Sequence, residues 1–215
     1  KFNMDTQLND EVYRQIVLHA LGVHGKPNPP TVCVCGKHFT PAHPHCCVKV
    51  RRKAVTARHN GLYMCLSHIC QDAGFNTVCE PKTHPEDDPS NKRPDVLVTS
   101  ADGQSFSIDT SVTHSTAKSF VKTVVSDQLQ TRANTKTNLY SAREQALGRE
   151  FIPFVMTSFG TFHSDALKVL DRIAEHARYR NLTPCAATFK KEAIRRLLYT
   201  LHLGNYAVLE YAWSQ

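Results

Sequence analysis

Two aspartates in strand-like sequence set the chemistry open to this chain. Asp95 follows Lys92-Arg93-Pro94 and opens the run Val96-Leu97-Val98-Thr99, while Asp109 follows the alternating Phe106 and Ile108 in Ser107-Ile108-Asp109-Thr110-Ser111-Val112. Asp102-Gly103 lies between the runs and signals a two-residue hairpin turn, so the strands pair antiparallel. Asp95 begins one strand and Asp109 is near the end of the other, which returns both carboxylates to one end of a sheet. Two carboxylates there, helped by the backbone carbonyl of Thr110, form a site for Mg²⁺ or Mn²⁺ and for phosphodiester hydrolysis. Glu80, at the end of a preceding strand, is a third acidic candidate.

Phosphoryl chemistry also needs cations. A helix over about 126–147 presents Leu129, Ala133, Lys136, Tyr140 and Leu147 along one stripe. A lysine on an apolar stripe is best satisfied by carboxylates. Lys136 is therefore the expected water-orienting or charge-offsetting group. Tyr140, one turn further on, is expected to hold the phosphate. Lys122 and Arg132 are alternative cations. Arg58 and His59 open a second helix directly after the basic run Lys49, Arg51, Arg52 and Lys53. Arg52, Lys53, Arg58 and His59 are candidate DNA contacts, with a solvated basic face as the competing explanation. His59 lies on the Leu62/Leu66 stripe and also reads as a core histidine. Lys190, Lys191, Arg195 and Arg196 make a second basic face on the last helix.

A separate module lies upstream. Cys33-x-Cys35-Gly36 followed by His43 and Cys47 supplies four ligands of the kind zinc prefers, with His45 and Cys46 as competitors. Four protein ligands close the coordination sphere, so the zinc is structural. The remaining cysteines scatter through apolar patterns, which fits a reducing compartment better than a disulfide scaffold.

The elements that position these groups follow from periodicity. Asn9 caps a helix whose stripe is Val12, Ile16, Val17, Ala20 and Leu21, ending at Gly22. A Gly/Pro linker runs from Gly25 to Pro30. A helix over about 57–73 turns Leu62, Leu66, Ile69 and Ala73 inward and stops at Gly74. Asn76 to Glu80 is a short strand, followed by a polar, Pro-rich loop through Arg93. Residues 118–125 are ambiguous. Phe151–Thr157 reads as a buried strand, and helices over about 164–179 and 186–203 complete the chain. The expected fold is α/β, a mixed sheet flanked by helices. Its parts are a connector helix and linker over 1–30, a zinc knuckle over 31–56 and the main domain over 57–215.

The chain has 215 residues and a net charge of +7. That balance fits an anionic partner. No apolar run is long enough to cross a membrane, so no membrane partner is expected. The chain starts at Lys1 in mid-pattern and reads as part of a longer protein.

In this order and spacing, the residues resemble the C-terminal region of site-specific non-LTR retrotransposon proteins. There a zinc knuckle precedes a restriction-like endonuclease. The matching marks are the Cys33 to Cys47 module, Arg58-His59-Asn60, Arg93-Pro94-Asp95, Asp109 at a spacing of 14 residues, and Lys136 with Tyr140, together covering about residues 30–160. The resemblance implies the PD-(D/E)xK restriction-endonuclease-like fold and a metal-dependent endonuclease that nicks double-stranded DNA to prime reverse transcription. Its partners would be the reverse transcriptase region of the same polyprotein and the element RNA, in the nucleus. The chain departs from the wider nuclease pattern at Ser111, where lysine usually stands; in the retrotransposon group that lysine is displaced to a later helix, as Lys136 would be. The alternative function is a catalytically weak or inactive nucleic-acid-binding module on the same fold. A third is a zinc-stabilised protein-interaction domain whose basic faces are incidental.

Overall fold

The computed structural model describes residues 9–23, 28, 30–40, 42–81, 93–117 and 122–214, without the side chains of Arg51 and Arg52. The Arg52 side chain, most of the Pro-rich loop and residues 118–121 therefore lie outside what the structure describes.

The fold is mixed α/β. Strands β1 (Asn76–Cys79), β2 (Val96–Thr99), β3 (Ser105–Thr113) and β4 (Glu150–Thr157) form a four-stranded sheet in the order β1-β2-β3-β4. The first three strands are antiparallel, and β4 joins β3 in parallel. Pro153 sits opposite Asp109 in this last pair. An edge strand tolerates it, because the missing N–H can face away from the ladder.

Before the sheet come α1 (Asp10–Ala20), the short α2 (His43–Cys46) and α3 (Val48–Val50), a π-turn over Arg51–Val55, and α4 (Thr56–Asp72). The helix α5 (Val125–Ala146) connects β3 to β4; α6 (Ser164–Tyr179) and α7 (Ala186–Trp213) follow. Helices flank both faces of the sheet. On one, Leu62, Leu66 and Ile69 of α4 meet Val96, Val98, Phe106, Ile108 and Phe154, together with Leu170 and Ile173 of α6 and Leu197 and Leu201 of α7. On the other, Leu129 and Ala133 of α5 pack on Val155. Among the described residues no helix is long and apolar enough to cross a membrane.

Three expectations need correction. In α1 the Asn9 cap is present, its Oδ1 accepting from Val12 N at 2.8 Å. The buried face, however, is Val12, Gln15 and His19, whereas Val17 and Leu21 are exposed. His19 stacks on His114 and Phe159 from that face, and apolar spacing alone points to the wrong stripe. In the β2–β3 hairpin, Thr99 pairs with Ser105, so the loop is longer than a two-residue turn. Ser100 O accepts from Gly103 N, Gly103 takes the left-handed conformation with φ 86°, and the Ser100 hydroxyl donates to Asp102. The helix expected to end near 203 continues to Trp213. Gly204 does not stop it. A Cβ there would lie 2.4 Å from Arg58 Cγ, so the glycine permits close approach of α7 to α4.

Candidate functional site

The hairpin register that pairs Val96 with Ile108 sets Asp95 beside Asp109. Both are buried. Asp95 is held from two directions. Its Oδ2 accepts from the Thr110 backbone N–H and hydroxyl, both at 2.6 Å, and its Oδ1 lies 3.1 Å from His59 Nε2. Thr110 therefore serves Asp95 through its N–H and hydroxyl, whereas the sequence suggests only its backbone carbonyl as a helper. Asp109 is met from α5, where Lys136 Nζ lies 2.6 Å from Oδ2.

The electrostatics follow from burial. Desolvation first, and then the charge of Asp95, push the Asp109 carboxyl up to about 6, against the pull of Lys136. Burial would lower His59, but its hydrogen bond to Asp95 and the two aspartate charges outweigh that and raise it. Tyr140 is pushed up, first by burial and then by the charge of and hydrogen bond to Asp109, so its hydroxyl stays a donor. Its ring centroid is 5.8 Å from Lys136 Nζ. Asp95, Asp109, Lys136, Tyr140 and His59 thus converge on one place. Glu80 stays exposed at the end of β1, its φ of 44° in the left-handed region.

The basic candidates divide. Arg58 is not on an exposed basic face: it is only 5% exposed. Its Nη1 donates to Asn205 Oδ1 at 2.8 Å and to His45 Nδ1 at 3.1 Å. Lys53 is exposed, with Nζ 6.0 Å from the Tyr211 ring centroid. Lys122 is exposed, and Arg132 donates from Nε to Ser111 Oγ at 2.7 Å. On α7, Lys190, Arg195 and Arg196 pair with Asp171, Glu192 and Asp72, which leaves that face less basic than its sequence.

The zinc-type ligands also converge. Ligand atoms of Cys33, Cys35, His43 and Cys47 all lie within 4.8 Å of one another. Cys33 and Cys47 Sγ are 3.6 Å apart, and Cys35 Sγ is 3.2 Å from His43 Nε2. A tetrahedron with Zn–S bonds of about 2.3 Å has an S–S edge of roughly 3.8 Å, so this cluster can hold a metal such as zinc. Gly36, at φ 83°, forms the tight turn and donates to Cys33 O at 2.7 Å. The module rests on α7, with Phe39, Cys47 and Val50 packed against Val208 and Ala212. Cys46 is exposed and is not a member of this cluster.

His19, His45 and His114 form a second buried group within 4.8 Å. Their rings are stacked more than convergent: His45 and His114 lie 4.7 Å apart at 15°, and Phe159 extends the stack over His19 at 5.2 Å. His19 is tilted by 40° to His45; Arg58 donates to His45 Nδ1, while His19 Nε2 and His45 Nε2 are buried with no hydrogen-bond partner. Burial, first of all, lowers all three imidazoles and favours a neutral trio. It is tied to α7 through His114 Nδ1 and Ser158 Oγ at 2.6 Å, and through Asn205 Nδ2 donating to Ser158 O at 2.7 Å. Nothing in the sequence pattern marks Asn205 or Ser158 as partners of Arg58 and His114.

No family model matches this chain, and no curated protein is significantly similar to it.

Proposed function

We propose that this chain is a Mg²⁺- or Mn²⁺-dependent DNA endonuclease of the restriction-like PD-(D/E)xK class. It would nick one strand of a chromosomal target so that a reverse transcriptase in the same polyprotein can extend the 3′ hydroxyl, with the element RNA as template, in the nucleus. The observation that carries this reading is the meeting of Asp95, Asp109 and Lys136, with Lys136 Nζ 2.6 Å from Asp109 Oδ2. The Cys33–Cys47 module would hold a structural zinc.

The carboxylates suit a hard cation. Asp109 is raised to about 6 by burial and by Asp95, and a divalent cation held by these carboxylates would offset that repulsion. Asp95 and Asp109 would hold it, and when bound it would acidify water and offset phosphate charge. The chain's own groups do the rest. Thr110 and His59 fix the Asp95 carboxylate. Lys136 keeps Asp109 ionised and stands beside it, placed to orient the attacking water. Tyr140 donates its hydroxyl proton toward Asp109 and supports that arrangement.

Nicking of supercoiled plasmid with Mg²⁺ or Mn²⁺ tests this reading beside Asp109→Ala and Lys136→Ala. Metal-dependent nicking that falls by about 10²-fold or more in both variants is expected. A folded protein that binds DNA without cutting it would move the assignment to the nucleic-acid-binding module.

A further inference from the structure

Beside the carboxylates lies a cavity of about 480 Å³, between the zinc module and β3. His45 and Cys46 form one wall, Thr110 to His114 form the floor, and α4 and α5 contribute Arg58, His59, Arg132 and Lys136. Among the described residues no carboxylate lines it. Lys136 is already matched by Asp109. Among the described residues neither Arg58 nor Arg132 has a carboxylate partner.

That imbalance is physically unusual. A buried guanidinium is normally paired, because removing it from water is costly. Arg58 is 5% exposed, its hydrogen-bond partners are an amide and an imidazole, and its Nε is buried with no acceptor. It is nevertheless locked in place. Gly204 gives its stem room against α7, and Asn205 is itself anchored to Ser158 O. Arg132 is likewise fixed, by Ser111. Two arginines without carboxylate partners, Arg58 buried and Arg132 half-buried, thus line one cavity and suit an oxygen anion from outside.

We propose that this cavity is a phosphate subsite for the DNA strand whose scissile phosphate lies at the carboxylates, with Arg58 and Arg132 gripping a neighbouring phosphodiester. The inference rests on the endonuclease reading for the identity of the strand. It gives the zinc module a second role, since His45 and Cys46 beside ligand Cys47 are a wall of the subsite.

The test is binding of a duplex oligonucleotide without Mg²⁺ across a salt series, for wild type, Arg132→Ala and Arg132→Lys. Loss of one phosphate contact lowers the slope of log affinity against log salt by about 0.9. Arg132→Ala is expected to show that drop and about tenfold weaker binding, with Arg132→Lys between the two. Arginine Nε–H resonances in ¹H–¹⁵N spectra should shift on DNA addition for both Arg58 and Arg132. Unchanged affinity and slope in a folded Arg132→Ala protein, with unmoved resonances, would overturn the subsite. So would binding that requires a terminal 5′-phosphate, because an internal phosphodiester is the assigned ligand. Failure of nicking with the Arg132 effect intact removes the nuclease and leaves the subsite; intact nicking with no Arg132 effect does the reverse.

Discussion

Lys136 Nζ lies 2.6 Å from Asp109 Oδ2, and one helical turn earlier Arg132 Nε lies 2.7 Å from Ser111 Oγ. Four residues of helix advance about 6 Å, close to the advance of two residues of strand. The i, i+4 pair on α5 therefore matches the i, i+2 pair on β3. This register sets a helix lysine against the strand carboxylate Asp109 and a helix arginine against Ser111, two residues on. Ser111 at that strand position is small and polar, and it receives Arg132.

The same pairing leaves Asp109 in tension. Its folded value of about 6 exceeds its ordinary value of 3.8. Between those pH values the unfolded chain holds fewer protons than the folded one, so stability falls as pH rises from about 4 to about 6. Asp109→Asn removes this penalty. Without divalent metal, the unfolding free energy of wild type relative to Asp109→Asn should drop by roughly 3 kcal/mol between pH 4 and pH 7. Denaturant titrations over that range check it; a constant difference would mean that Asp109 ionises normally. Adding Mg²⁺ should restore wild type at pH 7 and leave the variant unchanged.

Zinc should be required by the module that rests on α7. Metal analysis should find zinc in wild type and in Cys46→Ser, whose side chain is outside the ligand cluster, but not in Cys47→Ser. Chelation or Cys47→Ser should also lower the melting temperature, because Phe39, Val50, Val208 and Ala212 lose a common packing surface. Zinc absent from Cys46→Ser would overturn the ligand set.

Much of this arrangement is legible in the sequence, for identifiable reasons. Asp95, Asp109 and the Cys33 to Cys47 cluster are local signals, fixed by a hairpin and by a turn with a short helix. Lys136 is conspicuous because a charge on an apolar stripe demands a partner. Arg58 shows the limit. Its sequence neighbours are basic, and only the distant Gly204, Asn205 and Ser158 reveal that it is buried. Polar burial across long sequence separations leaves no periodic trace, and the same holds for the inward face of α1, defined by Gln15 and His19.

The histidine stack should make the fold acid-sensitive. His19 and His114 are lowered to about 4, mainly by burial, from an ordinary 6.5. In that interval the unfolded chain binds more protons, so their contribution is complete above about 6.5 and is lost as pH falls towards 4. Each shift corresponds to roughly 3 kcal/mol. Replacing His19 with Phe keeps an aromatic ring against Phe159 and removes one titrating group. The variant should lose stability less steeply than wild type between pH 6.5 and pH 4, by about one proton in the slope. Equal slopes in denaturant titrations would show that His19 titrates normally.

Two glycines on the facing helices α4 and α7 should respond in opposite directions to alanine. At Gly61 the nearest neighbour of a new Cβ is Thr200 Cγ2 at 3.4 Å, an ordinary contact. Gly61→Ala should therefore gain the helix-propensity difference, up to about 1 kcal/mol. At Gly204 the new Cβ would stand 2.4 Å from Arg58 Cγ and 3.2 Å from its Cα. The second distance involves backbone, so a side-chain shift alone cannot relieve it and the helices must separate. Overpacking of this kind costs about 1–3 kcal/mol, which exceeds the propensity gain at the upper end. Thermal melts should show Gly61→Ala raised by about 2–4 °C and Gly204→Ala lowered. Because the displaced group is Arg58, Gly204→Ala should also weaken DNA binding, whereas Gly61→Ala should not. A Gly204→Ala protein with wild-type melting and binding would mean that α7 does not press on Arg58.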